Sequence, residues 1–173
     1  DVYQNILSCR HQADRRTPLE YAQDLVASWL YEDFIIDLLT RNGLNLQLDG
    51  ADRNREILVN VKTSSDSDYM LNYNGINIKL ELMTDYTGFW ARAKAIHLRD
   101  AKYIKMQNSQ SLFLGICTPD NSFVLLDFRK KVFAKYIPFH RAYHKPAYEI
   151  PITDDILKNF SPENVITAIK ECL

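Results

Sequence analysis

Hydrolysis of a phosphodiester with a divalent cation needs carboxylates to hold the cation. It also needs a cationic side chain, usually lysine, to steady the charge that develops on the phosphate. The sequence offers two places for such a group. In the first, Asp68 precedes the segment Tyr69–Tyr73 and Glu81 falls near the end of the segment 76–83, with Asn74-Gly75 between them. Asn-Gly supplies the positive φ angles of a two-residue hairpin turn, so the two runs fold together and can bring Asp68 alongside Glu81. Side chains two apart on a strand share a face, which aligns Glu81 with Lys79 and Met83. Apolar residues do not alternate strictly here, so both faces of the strand are expected to be covered. A carboxylate between Leu80 and Leu82 then needs a partner, either a metal or a lysine. The same residues also read as a strand-end glutamate at an exposed edge, or one paired with Lys79.

The second place is Asp49 or Asp52 followed by Val59-Asn60-Val61-Lys62. Here a lysine is well set, but Asn60 stands where an acid is wanted, and an amide oxygen brings no charge to a cation. These residues also read as an ordinary strand leaving an Asp-rich turn.

Both arrangements depend on the elements around them. Thr17-Pro18-Leu19-Glu20 is a capping box with proline at the first helical position. Ala22, Leu25, Val26, Trp29 and Ile36 then recur at helical spacing, predicting a helix over 18–41 that ends at Gly43. Glu32 shares the side of Leu25, Trp29 and Ile36, an unusual place for a charge. Leu44, Leu46 and Leu48 alternate before the turn 49–52, and 57–61 predicts a further strand. After the Asn-Gly hairpin comes a lysine-rich stretch in which 98–106 is expected to be helical. A second hairpin, 112–117 with 123–128, turns around Pro119-Asp120-Asn121. Ser161-Pro162-Glu163 begins a terminal helix carrying Val165, Ile166 and Ile169. The order predicts a mixed α/β fold, a central mixed β-sheet flanked by helices, in one domain spanning 1–173.

A helix, strands, an Asp, a hairpin, an acid on the third strand, then helix and strand resembles the αβββαβ core of the PD-(D/E)XK nuclease superfamily. The stretch Leu80-Glu81-Leu82-Met83-Thr84-Asp85-Tyr86-Thr87-Gly88-Phe89-Trp90, followed by Leu98-Arg99-Asp100, resembles its restriction-endonuclease-like branch. The resemblance covers about residues 17–130. It implies Asp68 as the motif aspartate, Glu81 as the (D/E) residue and the Leu82 carbonyl as a third metal ligand. It also implies Glu32 as the glutamate contributed by the first helix, and Mg²⁺ or Mn²⁺ as cofactor. Met83 stands at the motif lysine position, where a thioether carries no charge. Lys79, Lys94 and Lys102 are the lysines expected to take over that role.

Composition narrows the partners. The chain has 173 residues, 46% apolar, 25% charged and 12% aromatic, near globular averages. No apolar run reaches the roughly 18 residues of a membrane span. Cys9, Cys117 and Cys172 are widely spaced and odd in number, which suits free thiols in a cytoplasmic, reducing compartment. His97, His140 and His144 are too scattered to suggest zinc and read as surface or interface residues, and His11 has no companion at ligand spacing. No GxGxxG, Walker-type or GxSxG motif occurs. The net charge of −1 argues against a uniformly basic binder but leaves room for a local basic cleft. Arg92, Lys94, Arg99, Lys102 and Lys105 form one basic segment. Arg129, Lys130, Lys131 and Lys135, mixed with Tyr136, His140, Arg141 and Tyr143, form another, suited to phosphates and bases. The expected function is metal-dependent cleavage of double-stranded DNA, of restriction, repair or mobile-element type. The alternative is a non-catalytic nucleic-acid-binding or subunit module on the same fold. A second copy of the chain or a larger complex is the further partner expected.

Overall fold

The computed structural model describes residues 2–8, 16–49 and 68–173. The expected strand over 57–61 and the alternative set Asp52, Asn60 and Lys62 lie outside the described residues, as do Cys9 and His11. After a short helix α1 (Val2–Ser8), helix α2 (Pro18–Arg41) begins at the capping box. Glu20 donates its backbone N–H to Thr17 Oγ1 at 3.2 Å, and Glu20 Oε2 accepts the Thr17 N–H at 2.8 Å.

The hairpin is built as the Asn-Gly pair dictates. Strands β1 (Asn45–Leu48), β2 (Tyr69–Tyr73) and β3 (Ile76–Asp85) run antiparallel in turn, and Asn74 and Gly75 take φ of 50° and 78°. The chain then makes a short helix α3 (Phe89–Ala93), strand β4 (Ala95–Arg99) and helix α4 (Asp100–Ser109). It returns as β5 (Leu112–Cys117), parallel to β3, and turns into β6 (Ser122–Asp127). Strands β7 (Lys135–His140) and β8 (Lys145–Pro151), the short β9 (Lys158–Asn159) and helix α5 (Pro162–Cys172) complete the described chain.

Two sheets result. The six-stranded one has order β1-β2-β3-β5-β6-β9 and mixes parallel with antiparallel pairs; the three-stranded one has order β4-β8-β7. The fold is therefore mixed α/β, with a central mixed sheet flanked by helices, and α2-β1-β2-β3-α4-β5 follows the αβββαβ order with α3 and β4 inserted. One core fills one face of the large sheet, where Ile35 and Leu39 of α2 and Val165 and Ile169 of α5 meet Leu71, Leu80, Leu82 and Leu114. The other core lies on the opposite face, where Trp90, Ile96, Leu98, Met106 and Ile150 meet Phe113, Val124 and Leu126. Both faces of β3 are thus covered where Leu80, Glu81 and Leu82 are buried in succession.

The helix expected over 98–106 starts later. Leu98 and Arg99 belong to β4, paired with Tyr148 and Ala147 of β8, and the helix begins at Asp100. Ile96 and Leu98 are buried with His97 between them only partly so, a period-two pattern that the pairing with β8 enforces over local helix preference. No described helix is long and apolar enough to cross a membrane.

Candidate active site

Strand pairing places the two acids. Tyr69 is paired with Leu80, so one step further along the hairpin Asp68 comes opposite Glu81. The Leu82 backbone N–H donates to Asp68 Oδ2 at 3.1 Å, which fixes the Asp68 carboxylate against β3. It is the Leu82 N–H that Asp68 meets, and the adjoining Leu82 carbonyl is the one expected as a ligand.

Helix α4 closes the site from the side opposite α2. Lys102 and Lys105 are three apart and so project from one face of the helix. Lys102 Nζ stands 3.2 Å from Glu81 Oε2, and Lys105 Nζ stands 2.7 Å from Oε1. The Glu81 side chain is 0% exposed, whereas Lys102 and Lys105 keep 32% and 19% of theirs in solvent. Neither Glu81 oxygen receives a well-aligned hydrogen bond, so its compensation is charge rather than directed donors.

The protonation states follow from this packing. Burial pushes Asp68 up to about 7; Lys102 opposes the rise, and the neighbouring Glu81 adds to it. Burial works on Glu81 in the same sense, but Lys102 and Lys105 outweigh it and hold Glu81 below the usual carboxylate range. Burial would lower Lys102, yet Asp68, Glu81 and Glu32 together keep it above the ordinary lysine value. Glu32 thus lies within electrostatic reach of the group. Its Oε2 accepts the Tyr69 hydroxyl at 3.2 Å and its Oε1 the Ser28 hydroxyl at 3.2 Å, so α2 and β2 hold it jointly.

Asp68, Glu81, Glu32, Leu82 and Lys102 are therefore brought together. Lys79 shares the Glu81 face by register, but no ion pair joins it to either carboxylate among the described residues. Lys94 is bound instead to Asp154 at 2.9 Å, away from the acids. Arg92 donates to the Thr87 carbonyl at 2.6 Å. Lys130 and Lys131 sit exposed in the turn after β6, and Lys135 begins β7, so the second basic segment spans two sheets. Lys105 is expected only as part of the first basic segment, not as a partner of Glu81, and Tyr69 is not expected at the site. The three-residue spacing from Lys102 was the available signal for Lys105, and the place beside Asp68 on the same strand for Tyr69.

The histidines are less scattered than the sequence suggests. His97 Nδ1 lies 2.8 Å from His140 Nε2, and His97 Nε2 lies 3.0 Å from Glu149 Oε2. Pairing within the three-stranded sheet draws these residues together from 43 and 52 positions apart. Even so, among the described residues no three His, Cys, Asp or Glu side chains converge to hold a metal ion.

The sequence matches no protein-family model and no curated protein. Among solved structures, a Holliday junction resolvase from the archaeal hyperthermophile Archaeoglobus fulgidus is similar. It is 8% identical, with a TM-score of 0.39 over 72% of this chain and 85% of that one.

Proposed function

We propose that the protein is a metal-dependent endonuclease of the PD-(D/E)XK type, hydrolysing phosphodiester bonds of double-stranded DNA, with Asp68 and Glu81 as its metal ligands. The carrying observation is the pair itself: half-buried Asp68 faces fully buried Glu81 across the hairpin, with the Asp68 pKa raised to about 7. Two acids pressed together in a poorly solvated place are held at a cost that a divalent cation relieves. The donor set suits Mg²⁺ or Mn²⁺, since hard oxygen ligands in small number leave room for waters and phosphate oxygens. The Leu82 carbonyl would add a neutral oxygen. When bound, the cation would neutralise charge on the phosphate and make a water more acidic.

The chain's own residues do the rest. Lys102, placed 3.2 Å from Glu81 and partly open to solvent, can donate to a phosphate oxygen and stabilise the charge that develops there. It stands in for the lysine that Met83 displaces, arriving from α4 instead of β3. Lys105 holds Glu81 ionised. Glu32, fixed by Tyr69 and Ser28, helps keep Lys102 charged.

Lys105 also supports the second reading, a non-catalytic module. Two lysines on one glutamate already balance its charge, and a protein that never binds metal would need nothing more. Incubation of supercoiled duplex DNA with wild type and Lys102→Met in Mg²⁺ or Mn²⁺ separates the two. The nuclease reading expects nicking or linearisation by wild type and a loss of ~10²-fold in the variant. DNA left intact by wild type in both metals favours the binding module.

A further inference from the structure

Two residues past Glu81 on the same face of β3, Met83 borders a cavity of about 250 Å³. Phe89, Trp90, His97, His140 and Tyr143 complete most of its wall. That volume falls below the roughly 300–1,000 Å³ of pockets for drug-sized ligands, and suits one small ring system.

The walls are built rather than incidental. The Trp90 backbone N–H donates to Asp85 Oδ2 at 2.9 Å, and the Trp90 ring lies so close to Gly115 that a Cβ there would stand 2.7 Å from it. Phe89 meets His97 edge-on with centroids 5.1 Å apart, and His140 stacks on Tyr143 at 4.2 Å and 22°. The imidazoles are locked in a one-way chain. The Tyr143 N–H donates to His140 Nδ1 at 3.3 Å, which leaves the His140 proton on Nε2. That proton goes to His97 Nδ1 at 2.8 Å, so His97 donates from Nε2 to Glu149 at 3.0 Å. The nitrogens of both rings are already engaged, so the imidazoles offer ring faces more than polar handles.

One cation stands over a wall of the cavity: the Arg99 guanidinium lies 5.5 Å from the Tyr143 ring centroid. Arg92 and Arg141, both exposed, neighbour the lining residues in sequence. An aromatic slot with an arginine beside it matches a flat heteroaromatic ring attached to phosphates. Two strand residues span about 7 Å, so the slot lies within one nucleotide's reach of the Asp68–Glu81 site.

We propose that this cavity receives a single unpaired nucleobase of the DNA strand held at the Asp68–Glu81 site, gripping it by stacking. Resting on the nuclease reading, it adds that the substrate strand is locally unpaired beside the cleaved bond. Base-specific readout is weak, because the imidazole nitrogens and the Asp85 carboxylate are taken up within the protein.

The test compares a ten-nucleotide single-stranded DNA with an abasic strand of the same length and charge, both without metal. Trp90 and Trp29 are the two tryptophans, so Trp29→Phe leaves Trp90 as the sole reporter. The base-bearing strand should quench Trp90 and bind roughly 5- to 150-fold tighter, the range for one stacked base. Phe89→Ala removes one wall at a partly exposed position, and Ala142→Leu fills the cavity from an exposed lining residue. Either should shrink the preference while leaving affinity for the abasic strand unchanged. Equal binding of the two strands, or a preference untouched by both variants, overturns the proposal. Because metal is absent, base preference in a protein that never cleaves would sink the nuclease reading alone, and cleavage without base preference would sink the cavity alone.

Discussion

Glu81 and Asp85 lie four residues apart on one face of β3, and both are nearly or wholly removed from solvent, at 0% and 7% exposure. Their surroundings differ in kind. Asp85 is saturated by directed donors: the Thr87 backbone N–H and hydroxyl at 2.9 and 2.7 Å and the Trp90 backbone N–H at 2.9 Å. Although burial works to raise Asp85, these bonds prevail and hold it below the usual range. It stitches the end of β3 to α3, and nothing more is needed to explain it. Glu81 has no well-aligned donor, only two lysine charges and a second acid across the hairpin. A buried acid satisfied by hydrogen bonds is architecture, whereas a buried acid balanced by mobile charges beside another acid is poised to exchange a partner.

The contrast sharpens most where it predicts opposite phenotypes. Glu81→Gln should lower cleavage by ~10²-fold or more and leave the fold intact, because Lys102 and Lys105 reach solvent and Asp68 remains to balance them. Asp85→Ala should act on folding instead, costing about 2–4 kcal/mol by stranding the Trp90 and Thr87 donors, read as a lower urea midpoint. The comparison fails if the two substitutions exchange effects, with Glu81→Gln unfolding the protein and Asp85→Ala merely slowing it.

Gly115 offers a smaller effect on the same wall. A Cβ at residue 115 would meet Trp90 at 2.7 Å, so Gly115→Ala should displace that ring and cost roughly 1–3 kcal/mol. A stability equal to wild type would mean that Trp90 is not pinned by β5.

The pH dependence of stability carries the smallest expected effect and discriminates well. Asp68 holds its proton more tightly folded than unfolded, with a pKa raised from 3.8 to about 7. The folded state therefore binds more protons between these values, and this group's contribution to stability falls as pH rises from about 4 to about 7. Asp85, lowered by its bonds, has the opposite sign: its contribution is present above the unfolded value and is lost as pH falls through the folded one. Asp68→Asn should accordingly gain stability relative to wild type as pH rises from about 4 to 8, read as a widening difference in Tm, with the advantage vanishing near pH 4. A constant difference across that window would remove Asp68 from the coupled pair.

Much of this was legible in the sequence wherever local chemistry decides structure. The capping box fixed the start of α2, and Asn74-Gly75 set a register that puts Asp68 opposite Glu81 with no tertiary knowledge. The three-stranded sheet was not legible. Its strands pair His97 with Glu149 and Tyr136 with Tyr148, and the turns beside them pass through positive φ at Lys94 and His144, residues with no glycine signature. The lysine proposed to replace the one lost at Met83 was legible only as a set of candidates. Choosing among Lys79, Lys94 and Lys102 requires knowing which face of α4 meets β3, and that depends on how the β4–β8 pairing delays the helix to Asp100. Glu32 stood out as a charge on an apolar stripe, and its bond to Tyr69 accounts for it.

Calorimetric titration of Mn²⁺ into wild type and Glu81→Gln near pH 7 tests the central claim most directly. The Asp68–Glu81 site predicts binding of one cation by wild type with release of the proton that Asp68 holds near neutrality, and a loss of most of that binding in the variant. Wild type that takes up no Mn²⁺ at millimolar concentration, or a variant that binds it equally well, would contradict the account.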